Sequence, residues 1–327
     1  MMFYLLGGAL CFAVLFVLLS IGTLISAAVF RVASLKLRQI DRYRLPGLLF
    51  LVHLAPFLVA LGVVLGLVLP AFVELEPPST REGLNPLLTV GALLGVAILL
   101  GICARLVQVL IATSRQQSQW LREAHPLHSD GLSVFVLPTQ MPVMAVTGLL
   151  SPEIFVSQSI VSALSKEELA AALSHEFAHV EARDNLKQLL LRITQLPSWF
   201  GLSSHLKRWI SASEMLADRT AIAGGTSPYD LASALVKVAR LGAGAAPLPA
   251  IAASHLVPDC AGSAVASRVL QLREILDEPA ISRTAPVLKK DAIAMKWLVA
   301  ASAIGIYLLS LNSLLPHIHE ALEWLVR

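Results

Sequence analysis

His175, Glu176 and His179 form an HExxH run inside SKEELAAALSHEFAHVEARDNL, and Glu214 follows 35 residues after the second histidine. On a helix the two histidines fall at i and i+4, on one face, so both imidazoles can reach a single divalent metal. Glu176 lies beside that metal and is placed to take a proton from a water molecule bound there. Two histidines and one carboxylate make up a hydrolytic zinc site with a fourth position left open. Asp218, one helical turn beyond Glu214, is suited to orient a ligand histidine through its other ring nitrogen. The expected set is therefore His175, His179 and Glu214 on Zn²⁺, Glu176 as general base and Asp218 supporting a histidine.

The alternative is a solvated helix face that carries His, Glu and His by accident. Ser165 and Glu168 weigh against it, because they form a capping box that starts the helix and leaves the motif well inside it. Glu214 and Asp218 belong to a second expected helix, from about residue 203 to 223, ended by Gly224-Gly225. Ser227-Pro228 opens a third, and a last one covers about 263–277. Before the zinc helix, LSVFVL at 132–137, VMAVTG at 143–148 and EIFVS at 153–157 are β-prone runs punctuated by Pro and Gly. A small sheet is expected there, and its edge could bind a peptide as an added strand or simply pack on the helix. Residues 113–127 are expected to be helical and 241–262 to be a loop. Residues 186–202 are expected to form a buried or membrane-surface helix.

Hydrophobic residues make up 56% of the 327 and charged ones 14%, against about 25% charged in a soluble domain. The mean hydropathy is +0.72. No charge precedes Arg31, so residues 2–30 are long enough to span a bilayer, and they lack the basic start and short core of a cleaved signal peptide. Further spans are expected at 45–72, 86–112 and 296–316. His53 and Arg105 fall inside these spans, and Arg105 is expected to snorkel from the end of its helix. Cys11, Cys103 and Cys260 have no metal-ligand spacing and are expected to be small buried apolar groups.

The first loop carries Arg31, Lys36, Arg38, Arg42 and Arg44 against Asp41, and the second carries Glu74, Glu76 and Glu82 against Arg81. The positive-inside rule then puts the basic loop in the cytoplasm and both termini outside. Three divisions are expected: three transmembrane helices in 1–112, a cytoplasmic peptidase domain in 113–293, and a fourth transmembrane helix with a short extracytoplasmic tail in 294–327. The middle block holds 16 basic and 16 acidic residues, which gives no case for nucleic-acid binding.

HEFAHVEARDNL, preceded by TGLLSPEIFVSQSIV and followed by Glu214, Asp218 and Ala221 in an E-x-x-x-D-x-x-A pattern, resembles the BlaR/MecR-type integral-membrane zinc metallopeptidases. The order of three spans, a peptidase and a fourth span is similar too. The resemblance implies a multi-pass α-helical membrane protein with an α+β zincin-like (gluzincin) domain between helices 3 and 4. It implies zinc on His175, His179 and Glu214, Glu176 as base, and Asp218 on a ligand histidine. HtpX and CAAX-prenyl type membrane peptidases share HExxH and the later Glu–Asp pair. The HtpX branch places two spans between zinc helix and third ligand, whereas 34 residues, 180–213, separate them here. Eleven residues follow Pro316, so the penicillin-binding domain of the family's β-lactam sensors is expected to be missing, and antibiotic sensing is not carried over.

The function expected is zinc-dependent cleavage of a cytoplasmic or membrane-proximal protein or peptide by an enzyme seated in the lipid bilayer. A non-proteolytic transducer is the alternative class. His205, His255, Arg219 and Arg268 are the candidates for stabilising a tetrahedral oxyanion. Arg183 and Asp184 are expected to serve as a helix-end contact.

Overall fold

Three long apolar segments precede the sheet and the shorter helices of the chain. The computed structural model describes residues 2–34, 44–77, 84–129, 132–194, 203–242, 254–255, 262–277 and 313–323. Helix α1 is Met2–Ser34, and α2 is Leu45–Val63, which continues through a π turn at Val64–Val68 into α3, Leu69–Leu75. The π turn sits just ahead of Pro70, whose ring would clash with the carbonyl four residues back and which has no N–H to offer it. The backbone widens instead, and the Leu69 N–H bonds to the Val64 carbonyl five residues earlier. Helix α4 is Pro86–Glu123, with Asn85 as its N-cap. By length and composition, Met2–Arg31, Leu45–Leu75 and Pro86–Glu123 can each cross a membrane.

Small residues set the helix spacing, as expected where lipid supplies no hydrophobic drive between helices. A Cβ on Gly95 would run into the Phe12 carbonyl oxygen, and one on Gly91 would lie 3.1 Å from the Ala13 Cβ. Helices α4 and α1 therefore meet almost backbone to backbone. Cys11 is half-buried in this bundle and Cys103 is exposed on it, both as free thiols, so only the first fits the expectation of a buried apolar group.

Helix α4 does not stop at residue 112 but runs on as one rod into the second half of the molecule. It ends at Glu123, and His125–Ser129 is a strand, β1, where the sequence suggested continued helix. Pro126 lacks the backbone N–H that a continued helix would need and disfavours helical geometry at His125. The other strands are β2 (Leu132–Leu137), β3 (Met144–Thr147), β4 (Glu153–Ser157) and β5 (Ser254–His255). Their order is β1-β2-β4-β3-β5, with β2 and β4 parallel and the remaining pairs antiparallel.

Alternation along the strands divides two cores. Val134, Met144, Val146, Ile154 and Val156 face the zinc-motif helix and its neighbours. Leu137, Ala145 and Phe155 face the other way, toward Trp120 and Ala124 at the end of α4. Trp120 meets the Phe155 ring edge-on at 5.3 Å, and Phe135 stacks on Phe155 at 5.5 Å. Helix α4 is thus packed directly onto the sheet.

The later helices are α5 (Gln158–Ala163), α6 (Lys166–Ala182), α7 (Asp184–Ile193), α8 (Ser203–Ala223), α9 (Pro228–Gly242) and α10 (Gly262–Asp277). Within the stretch expected to be a loop, Leu241 and Gly242 close α9 and Ser254–His255 pairs with β3, so β3 is not the outermost strand. Residues 243–253 and 256–261 lie outside the described residues, as do 195–202 of the expected membrane-surface helix. Most of the expected fourth span, 296–312, also lies outside them. Residues 313–323 form a helix, α11. Leu315 and Leu322 of α11 pack with Leu6, Leu10, Phe72 and Leu88, at the end of the bundle where α1 and α4 begin and α3 ends. At the opposite end, Phe30 and Leu49 pack against Leu191 of α7 and Trp209 and Ala212 of α8. His53, buried in α2, meets the Leu191 carbonyl at 3.1 Å and ties that helix to α7.

Candidate metal centre

Helix α6 begins at a complete capping box. The Ser165 hydroxyl accepts from the Glu168 N–H at 3.2 Å, and the Glu168 carboxylate accepts from the Ser165 N–H at 2.8 Å. Glu168 also accepts from Lys237 at 2.7 Å and from Ser233 at 2.6 Å, which locks α6 to α9. Those bonds, Lys237 first, hold its carboxyl down to about 2. Ala171, Ala172 and Ala178 on α6, and Ala217 and Ala221 on α8, are buried small residues that let the helices approach closely.

Alpha-helical spacing puts His175 and His179 on one face, both buried, and α8 brings Glu214 against them. The two Nε2 atoms lie 3.2 Å apart. Glu214 Oε2 is 3.4 Å from His175 Nε2, and Glu214 Oε1 is 3.4 Å from His179 Nε2. Around a tetrahedral zinc with ligand bonds near 2.05 Å, neighbouring donors stand about 3.3 Å apart. The two imidazole nitrogens fit that spacing, one Glu214 oxygen faces each of them, and with one donor from each residue the three lie within 4.8 Å of one another, a donor set whose chemistry is that of a zinc site. Among the described residues, this is the one His/Cys/Asp/Glu group close enough to hold a metal ion.

Each histidine is pinned from behind. Asp218 Oδ1 lies 2.9 Å from His175 Nδ1, and Asp184 Oδ2 lies 2.8 Å from His179 Nδ1. With Nδ1–H donated to a carboxylate, the Nε2 lone pair of each ring points toward the shared space. Asp218 is where the sequence suggested it. Asp184 does more than contact a helix end, and Arg183 explains how. Arg183 adopts φ 53° and ψ 42°, the left-handed conformation, which ends α6 and turns the chain so that the first residue of α7 faces back onto His179. Lys187 steadies the other Asp184 oxygen at 3.2 Å. Asn185 then donates to the Val146 and Gly148 carbonyls, both at 3.0 Å, and fixes α7 to the end of β3. A carboxylate five residues after the second histidine was the signal available in the sequence.

Arg268 enters from α10 and is buried. Its Nε and Nη2 donate to Asp218 at 2.9 and 2.5 Å, and its Nη1 lies 3.0 Å from Glu214. Burial works against its charge, but Asp218 and Glu214 outweigh that and raise its pKa further. Burial likewise works against charge on Glu214, and Arg268 overrides it to hold the carboxyl well below its usual range. His179 is pushed up to about 10 because Glu214 and Asp184 outweigh its desolvation. The cluster gathers carboxylates around two imidazoles and suits a cation held between them. With its guanidinium committed to two carboxylates, Arg268 organises the ligands and is poorly placed as an oxyanion donor. Arg219 is buried on α8, while the side chains of His205 and His255 lie outside the described residues.

Glu176 is fully buried, and neither carboxylate oxygen has a hydrogen-bond partner among the described residues. Desolvation raises its pKa to about 7, against the pull of both histidines. A carboxyl held near neutrality beside a metal site is suited to accept and return a proton.

Among known families, peptidase family M48 matches residues 144–208, which run from β3 through the HExxH helix to the start of α8. The match supports a zinc metallopeptidase and does not single out the BlaR/MecR type. Together with the three membrane-length apolar helices it supports a membrane-associated protease. No curated protein matches the chain.

Proposed function

We propose that this chain is a membrane-anchored zinc endopeptidase of BlaR/MecR-like arrangement that cuts a cytoplasmic or membrane-proximal protein. The observation that carries the reading is the meeting of His175, His179 and Glu214, with donor atoms within 4.8 Å of one another, beside a buried Glu176 that has no hydrogen-bond partner among the described residues. Zinc bound by those three side chains would supply a Lewis acid and a water of lowered pKa. Glu176 would serve as the general base there, holding a proton and returning it to the leaving amine. Asp184 and Asp218 hold the two rings in the metal-binding tautomer, and Arg268 holds Glu214 and Asp218 in register.

Burying a carboxylate without a partner costs free energy that a purely structural or signal-relaying domain has no reason to bear. That favours hydrolysis over a non-proteolytic transducer. The short path from α6 to α8 favours BlaR/MecR-like order over the HtpX branch. Ten residues of α7 and ten more join them, too few for two spans. The basic first loop supports a cytoplasmic peptidase domain, and α11 at the far end of the bundle supports a return crossing between residues 277 and 313.

Glu176→Gln tests the proposal. In detergent-purified full-length protein it should abolish cleavage of cellular substrates identified by proteomics of new termini, with zinc content near wild type. Retained turnover in this variant would refute the mechanism.

A further inference from the structure

The end of the bundle that meets α7 and α8 carries a collar of positive charge. Arg31 follows Phe30 in α1, Arg44 precedes Leu45 in α2, and both arginines are exposed. Phe30 and Leu45 pack with Leu206 and Trp209 of α8, so Lys207 and Arg208 come to the same rim. The Arg208 guanidinium lies 5.0 Å over the Phe30 ring, near the C-terminal end of α1. Lys207 and Arg208 are both exposed. Residues 203–213 of α8, which carry Lys207 and Arg208, hold no acidic residue. Asp184, the nearest acid in α7, is occupied by His179 and Lys187. The third-ligand residue Glu214 sits under two turns further along α8 from Arg208.

We propose that this rim, centred on Lys207 and Arg208 and extended by Arg31 and Arg44, binds the headgroups of anionic phospholipids in the leaflet on the peptidase side. The charges stand where an apolar span meets the polar headgroup layer, and they lie on the helix that presents Glu214. Aromatic packing of Arg208 on Phe30 holds one cation at that depth while its edge nitrogens remain available to a phosphate. Bound lipid thereby seats α8 against α1 and α2. The inference rests on the helices spanning a bilayer and is independent of peptide hydrolysis, so a catalytic failure leaves it standing.

The test uses delipidated full-length protein in neutral detergent, titrated with phosphatidylglycerol or phosphatidylcholine and read by native mass spectrometry. Wild type should retain phosphatidylglycerol far more tightly than phosphatidylcholine. Lys207→Gln with Arg208→Gln should weaken phosphatidylglycerol about 25-fold, roughly fivefold for each cation, and leave phosphatidylcholine unchanged. The charge-keeping pair Lys207→Arg with Arg208→Lys should preserve the preference, and an unchanged melting temperature in both pairs excludes misfolding. Equal retention of the two lipids, an undiminished preference in the Gln pair, or displacement of phosphatidylglycerol by equimolar inorganic phosphate would overturn the proposal.

Discussion

Asp184→Asn probes the support behind His179, the part of the metal centre that depends on the left-handed turn at Arg183. Asp184 Oδ2 sits 2.8 Å from His179 Nδ1 with its side chain 9% exposed, a buried, charge-assisted contact. Asparagine keeps a carbonyl oxygen that can accept from Nδ1–H, so the ring orientation survives while the charge is lost. Hydrogen bonds to charged groups are worth about 1.5–3 kcal/mol and neutral ones about 0.5–1.5, a difference near 1–1.5 kcal/mol. That corresponds to about a tenfold loss of zinc affinity. Asp184→Ala removes the acceptor altogether and should approach the roughly 100-fold upper range for such supporting groups. Competition against a chromophoric zinc chelator, with full-length protein in detergent, measures both. Asp218→Asn supplies the contrast, because Asp218 also holds the buried Arg268 through two bonds. Weakening that pair should cost up to about 3–5 kcal/mol of stability and lower the melting temperature, which Asp184→Asn should leave nearly unchanged. Wild-type zinc affinity in both Asp184 variants, or equal thermal damage from Asp184→Asn and Asp218→Asn, would refute the division of roles.

Alanine at His175, His179 or Glu214 should reduce bound zinc from about one per chain to near zero, measured by metal analysis without chelators. Glu168 has a folded pKa of about 2, depressed from 4.5, so its stabilising effect is present above pH 4.5 and lost as pH falls toward 2. Glu168→Gln should therefore flatten the acid limb of the stability curve between those values, and an unaltered limb would count against the Lys237 and Ser233 lock. Reporter fusions after residues 80 and 130 should label opposite sides of the membrane, the second inside; a shared side would refute the proposed topology.

The sequence alone was enough to place HExxH within a capped helix, to put Glu214 and Asp218 one turn apart, and to mark three membrane-length helices and three central strands. Each of these follows from short-range physics: the 3.6-residue turn, a Ser-to-Glu cap, apolar length, and β-branched runs between Pro and Gly. The strand at His125–Ser129 and the two residues of β5 were not legible, because each exists only through the neighbour it pairs with. Tertiary structure also decided which charges meet. Arg268 reaches Asp218 across 50 residues because α10 packs on α9 and α8, and no local pattern encodes that approach. Asp184 is near His179 in sequence, yet it would point away along a continuous helix; the left-handed turn at Arg183 brings it back. The seating of α7 and α8 on the ends of α1 and α2 likewise depends on Phe30, Leu49, Leu191 and Trp209 sharing one core. Local periodicity could supply each of those apolar residues but not their common partner, since burial is shared between surfaces far apart in the chain.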